Sequence, residues 1–228
     1  MPDGMPSVRL SESTRVEAFS DAVFAIVITI LVLDLRVPPH EPGHLLAALT
    51  GLWASLLAFL LSFLRVGVVW LNHHGLFSHV RRVNQALLWM NLGILVTCAV
   101  MPFPTALLAD ALRGGNLADL RVAVALYALV GALQLAAWLP VAPYLRDHPE
   151  LTEPLTEPAF FHAQRARPWI GVGVDAIAIV LAMVAPLAAL AFWALSLIFS
   201  ATTSEGVRGI SLLTRRRARV EGGSVLSP

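Results

Sequence analysis

The sequence predicts an all-α integral membrane protein with six transmembrane helices per subunit, and three observations lead there. Of its 228 residues, 57% are hydrophobic and only 14% charged. The mean hydropathy of +0.73 lies far above that of soluble chains. Apolar runs long enough to cross a hydrocarbon core of roughly 30 Å recur along the chain. In the first of them, Ala22 to Leu33, apolar residues occupy every helical face, a pattern that belongs to helices buried in lipid or protein.

Residues 1–14 form a polar cytoplasmic segment, in which Ser11 to Thr14 offer helix caps. The first span covers 15–36, about 30 Å at a helical rise of 1.5 Å per residue. It ends at Val37-Pro38-Pro39, which cannot continue a helix. The second, 43–77, is longer than a bilayer requires, so its tail Trp70-Leu71-Asn72-His73-His74 emerges at the interface and Arg81-Arg82 make the turn. The third, 84–108, is broken near its far end by Pro102 and Pro104. A fourth covers 119–143, and the polar, proline-bearing stretch 144–167 reads as a loop. The fifth and sixth, 168–184 and 187–203, meet at Ala185-Pro186 and alternatively form one bent hairpin at the far leaflet. Residues 15–203 make a single transmembrane domain with no internal repeat, and 204–228 a basic cytoplasmic tail.

Charge placement sets the orientation. All sixteen basic residues are arginine, and six spans put both termini on one side. With the termini in the cytoplasm, that side receives twelve arginines, the other only Arg36, Arg113 and Arg121, while Arg65 falls inside the second span. This is the positive-inside pattern. The run Arg215-Arg216-Arg217-Ala218-Arg219 is a topology signal that also meets anionic lipid, and no nucleic-acid role is expected. No signal peptide is expected, since the first span keeps Asp34 and Arg36 at its end without a small-residue cleavage site. The single cysteine, Cys98, leaves no intrachain disulfide and no cysteine-based metal site.

Ionisable groups within spans are costly and therefore informative. Asp21 stands in the first two turns of the first span, after Arg15 and Glu17, where an acid also meets the helix N-terminus favourably. It is either an N-terminal acid with a packing hydrogen bond or a structural or proton-sensing group. If the chain turns near residue 40, Asp21 lies level with about residue 59, and Arg65 stands about 9 Å deeper. Arg65, Asn91 and the His73-His74 pair are all open as its partners. The adjacent His73 and His74 diverge by about 100° around a helix and are expected to make interface hydrogen bonds rather than share a metal ion. With Asn72 and Arg65 they form the candidate helix-packing polar set. His40 and His44, with only Glu41 nearby, make a weak zinc site, and Gln134 and Asp175 read as isolated polar residues.

Positions 19, 23, 26, 30 and 33 follow the spacing that keeps side chains on one helical stripe. They are Phe19, Val23, Ile26, Ile30 and Leu33. The stripe is either a packing or lipid-facing surface, or, in several copies around an axis, a stack of apolar rings that gates by dewetting. Composition leaves both readings open.

The pattern Arg15-x-x-x-Phe19-Ser20-Asp21, followed by Ala-Val-Phe-Ala-Ile-x-Ile-Thr, resembles the signature of the transmembrane-protein-175 family of potassium channels. That family includes endolysosomal proteins and single-repeat bacterial ones. Trp70-x-x-His73-His74-x-x-Phe77 is similar to the family's second recurring element. The likeness covers the first three spans. It implies a passive, leak-type, potassium-favouring channel without the Thr-Val-Gly-Tyr-Gly filter, whose first helices line the pore. It places the pore constriction on Ile26, Ile30 and Leu33 and a polar ring on Thr29. Arg15, Phe19, Ser20 and Asp21 become the structural motif that locks the helices around the pore. One repeat per chain implies a homotetramer in the inner membrane of a bacterium, with permeant potassium and membrane lipid as partners. No catalytic residue, metal or other cofactor is implied. Two alternatives stand beside it: a proton leak or proton-coupled transporter using Asp21 and Asp34, and a membrane-embedded enzyme using Asp21 with His73 or His74.

Overall fold

The computed structural model describes residues 11–154 and 158–203. It is mostly helical. After a short strand β1 (Ser11–Glu12) come helices α1 (Thr14–Val32), α2 (Leu45–Thr50) and α3 (Trp53–Phe77). Strand β2 (Arg82–Val83) precedes α4 (Gln85–Ala99), α5 (Pro102–Gly114), α6 (Leu117–Ala136) and α7 (Val141–Asp147). A 3-10 turn (Pro149–Leu151), α8 (Pro158–Val184) and α9 (Pro186–Thr203) complete the described chain.

Local chemistry explains most boundaries. Asn84 caps α4 by accepting from the Leu87 amide at 3.0 Å. Asn116 does the same for α6, from Ala118 at 2.8 Å. Gly115 between α5 and α6 has φ +66°, a left-handed turn that glycine adopts without strain. The third predicted span is indeed interrupted, and α5 restarts with Pro102 in its first turn, where its missing N–H costs nothing. Among the described residues, four stretches are long and apolar enough to cross a membrane: Trp53–Phe77, Gln85–Gly114, Leu117–Asp147 and Gln164–Val184. Pro186–Thr202 is a shorter apolar helix, and α1 carries Arg15, Glu17 and Asp21 in its first two turns.

The structure departs from the sequence expectations in four places. The expected second span, 43–77, is not one helix: α2 ends at Thr50 and α3 begins at Trp53. The segment 144–167 is not a plain loop: it holds the end of α7, the 3-10 turn and the first ten residues of α8. Helix α8 runs straight through Pro168, so proline here removes one backbone bond instead of starting the helix. Ser11 to Thr14 do not act as caps. Ser11 and Glu12 pair antiparallel with Val83 and Arg82, and Ser13 precedes α1 without a side-chain capping bond. Residues 1–10 and the basic tail 204–228 lie outside the described residues.

Helix α1 packs on α3, α4 and α5, and α6 packs most extensively on α8. At the end of the bundle where α1 begins, three loops are laced by backbone bonds. Beyond the β1–β2 pair, Arg81 N donates to Leu151 O at 2.8 Å and Glu153 N to His79 O at 2.9 Å.

Candidate pore helix and its polar anchors

Helix α1 has two unlike faces. Ser20, Phe24, Val27 and Leu31, spaced 4, 3 and 4, are buried in the subunit. On a separate stripe Phe19, Ile26, Ile30 and Leu33 are 54%, 57%, 42% and 62% exposed in the single chain. Thr29 is exposed among them and Val23 is half-buried. The Thr29 hydroxyl donates to the Ile26 carbonyl at 2.8 Å, so what it presents outward is oxygen lone pairs. Large apolar side chains lined up on one helix face need a covering by lipid, protein or a dry constriction.

Behind α1, the motif residues are held by α3 and α4. The Ser20 hydroxyl donates to Val16 O at 2.8 Å and accepts from Asn91 Nδ2 at 3.0 Å. Asn91 Oδ1 accepts from His73 Nε2 at 2.9 Å. All three side chains are buried, so one amide joins three helices with both of its ends satisfied. His73 stacks on Phe77 at 4.2 Å and meets the edge of Phe24 at 5.3 Å, which fixes the ring. Asp21 is exposed and accepts from Trp70 Nε1 at 2.8 Å. Its hydrogen-bond partner is therefore none of Arg65, Asn91 and the two histidines. The stretch Trp70-x-x-His73 marks this pair of anchors, since residues three apart share a helix face. His74 lies exposed, stacked on Trp70 at 6.0 Å, and Arg15 is exposed at the start of α1. Asn72, between the two anchors, is half-buried.

Arg65 serves a separate buried site. Its Nη2 lies 3.1 Å from Asp175 Oδ2 and also donates to the Gly131 carbonyl, while its Nε donates to Gln134 Oε1 at 2.9 Å. Trp193 Nε1 donates to the other Asp175 oxygen at 2.6 Å, and the guanidinium lies 5.3 Å from the Trp193 ring. Gln134 Nε2 reaches Cys98 Sγ at 3.0 Å. Asp175 and Gln134, expected as isolated polar residues, are thus joined through one arginine. Sequence separations of 69 and 110 residues hid that convergence. A β-carbon on Gly131 would stand 2.7 Å from Arg65 Nη2, so the absence of a side chain there lets the guanidinium reach the backbone. One turn outward, Ser62 bonds both Thr105 at 2.6 Å and Tyr127 at 2.7 Å.

Residues 15–102, which contain α1 from Arg15 onward and all its anchors, match the family described as the endosomal/lysosomal potassium channel TMEM175. A potassium channel of Streptomyces collinus is 43% identical over 159 residues, 69% of this chain and 76% of that protein. The human endosomal/lysosomal proton channel TMEM175 is 38% identical over 136 residues, covering 54% of this chain and 27% of that protein. The crystal structure of a lysosomal potassium-selective channel TMEM175 homolog from Chamaesiphon minutus superposes with a TM-score of 0.74 at 33% identity. It covers 85% of this chain and 98% of that one. The family is one of ion channels, not enzymes, and the chain described here belongs to the TMEM175 family.

Proposed function

We propose that this protein is a passive, leak-type potassium-favouring channel in a bacterial inner membrane. It works as a homotetramer of six-span subunits with both termini cytoplasmic. Four copies of α1 surround the axis; Ile26, Ile30 and Leu33 form the constriction and Thr29 a ring of oxygen acceptors beside it. The observation that carries this reading is the division of α1. Its Ser20 face is bonded into the subunit, while the face of Phe19, Ile26, Ile30 and Leu33 is left outward. In this role Arg15, Phe19, Ser20 and Asp21 orient the helix, and Asn72, His73, His74 and Arg65 pack the bundle behind it. Apolar rings close a pore by excluding water, and conduction requires them to separate or hydrate.

The test is potassium flux from liposomes holding the purified protein, in parallel with sodium. Potassium-favouring flux that increases with Ile26→Asn supports the reading, because an amide hydrates the ring. Flux indifferent to that change, in protein shown to be tetrameric, removes Ile26 from the pore. The second reading, a proton leak through Asp21, rests on the exposure of that carboxylate within the first two turns of the same helix. Proton flux lost in Asp21→Asn while potassium flux persists favours it.

A further inference from the structure

Helix α1 runs out at Leu33 and is followed by two opposite charges, Asp34 and Arg36. Leu33 keeps helical backbone angles, φ −67° and ψ −17°, and the Leu35 amide reaches Val32 O at 3.0 Å. The helical turn therefore carries through Asp34, which is exposed. One turn beyond Ile30, it stands about 40° around the helix from that residue, on the side away from Thr29. Arg36 is exposed as well, and its Nε donates to the Leu33 carbonyl at 3.4 Å. That contact sets the guanidinium against the negative end of the helix. Among the described residues, Asp34 and Arg36 form no ion pair, with each other or with any other group. The Asp34 carboxylate accepts no hydrogen bond there either, so both charges end α1 without a counter-ion in the single chain.

A ring of chains supplies what the single chain does not. Around a closed ring the contact is heterologous, so one flank of each α1 meets the other flank of the next. Four Asp34 carboxylates facing one another around the Leu33 ring would repel, and so would four Arg36 guanidiniums. Alternating the two signs removes both repulsions. We propose that Asp34 of one subunit pairs with Arg36 of the neighbouring subunit, so that four acid–arginine contacts clasp the ends of the α1 helices around the axis. The interaction surface is the Leu33 end of α1, and its occupant is a second copy of this chain. Arginine suits the place, because its planar fork holds the Leu33 carbonyl through Nε while Nη1 and Nη2 stay available to a carboxylate. One side chain thus links the neighbour's charge to the backbone of Leu33, the last apolar residue of the outward stripe. The clasp rests on the homotetramer proposed above.

The experiment uses the full-length protein in detergent, with the tetramer fraction on dilution read by native mass spectrometry. Asp34→Arg and Arg36→Asp each set like charges across the contact. Each is expected to weaken tetramer association about tenfold, the order of four weakly stabilising exposed pairs lost together. Asp34→Arg combined with Arg36→Asp restores the pairs with reversed polarity and is expected to recover most of that loss. Raising potassium chloride from about 0.1 M to about 1 M shortens the screening length from roughly 10 Å to 3 Å. The wild-type tetramer is expected to weaken over that range and the single variants to strengthen. A second measurement reads proximity: chains carrying Asp34→Cys are co-expressed with chains carrying Arg36→Cys, under separate tags, and oxidised. Mixed dimers are expected to outnumber dimers of either variant with itself, and the native Cys98 is buried. A double variant no better than the single ones, or like-with-like crosslinks as frequent as mixed ones, overturns the clasp. A tetramer indifferent to both charges does the same and leaves the tetramer reading intact. A wild type that is monomeric at every protein concentration sinks the tetramer reading, and the clasp with it.

Discussion

The indole of Trp70 donates to the Asp21 carboxylate at 2.8 Å, and this bond connects the head of α1 to the tail of α3 at an exposed position. Hydrogen bonds to charged groups contribute about 1.5–3 kcal/mol when shielded, and less when water competes. Trp70→Phe is accordingly expected to destabilise the folded chain by about 1 kcal/mol. Asp21→Asn, which keeps an acceptor oxygen, should cost less than Asp21→Ala. Thermal unfolding in detergent measures the ranking, and equal midpoints for all three variants remove this bond from the account of α1.

Asn91 presents a harsher case, because both ends of its amide are buried and used. Asn91→Leu strands the buried His73 Nε2, at about 1–3 kcal/mol for an unsatisfied buried group, and leaves the Ser20 hydroxyl only its bond to Val16 O. The expected loss exceeds that of Trp70→Phe, with α1 loosened first. Hydrogen exchange of the Ser20–Val27 amides reports that loosening, and unchanged protection contradicts the role given to Asn91.

Removing one partner of the buried ion pair leaves the other charge uncompensated. Arg65→Leu is expected to cost about 3–5 kcal/mol, and Arg65→Leu combined with Asp175→Leu to recover part of it, as replaced buried pairs commonly do. Arg65→Lys cannot reproduce the fork that reaches Asp175, Gln134 and the Gly131 carbonyl together. Yield of folded protein and unfolding midpoint measure the series; a double variant worse than the single one defeats the argument.

Gly131→Ala tests the same site from the backbone side. The added carbon meets Nη2 at 2.7 Å and Cζ at 3.0 Å, and the guanidinium is held by four partners, so it cannot swing away freely. A loss of about 1–3 kcal/mol is expected, typical of overpacking. A neutral or stabilised variant shows that Arg65 has another resting place.

Cysteine scanning separates the faces of α1. Ile26→Cys should react with small aqueous thiol reagents and Val27→Cys should not, since Val27 is 3% exposed and the native Cys98 is buried. Similar rates at both positions are incompatible with a pore-facing Ile26.

Much of this arrangement is legible in the sequence because it is local. Hydropathy locates the apolar stretches, the prolines at 102 and 104 mark the break, and the spacing of Phe19, Ile26, Ile30 and Leu33 places them on one stripe. What stayed hidden is long-range. Nothing near Arg65 in the chain announces Asp175 on α8 or Gln134 on α6. A hairpin turning near residue 40 sets Asp21 level with about residue 59, whereas the chain between α1 and α3 inserts an irregular stretch and α2. That added length shifts α3 so that Trp70 arrives beside Asp21. The start of α8 is hidden because His162, Gln164, Arg165 and Arg167 lower the hydropathy of 158–167, although helix propensity carries through them.

The backbone lacing of residues 11–13, 79–83 and 151–153 also has a mechanical meaning. Amide-to-carbonyl bonds ask little of side-chain identity, so those segments are free to drift in sequence while keeping the grip. Among the described residues, nothing comparable ties the opposite end, where the connections are the irregular stretch after α1, Gly115-Asn116 and the single residue Ala185. The helices are therefore bound like stems in a bouquet, and their freedom to splay increases with distance from the knot. Leu33, at the far end of α1, has the longest lever arm of the outward stripe, and Phe19, nearest the binding, the shortest.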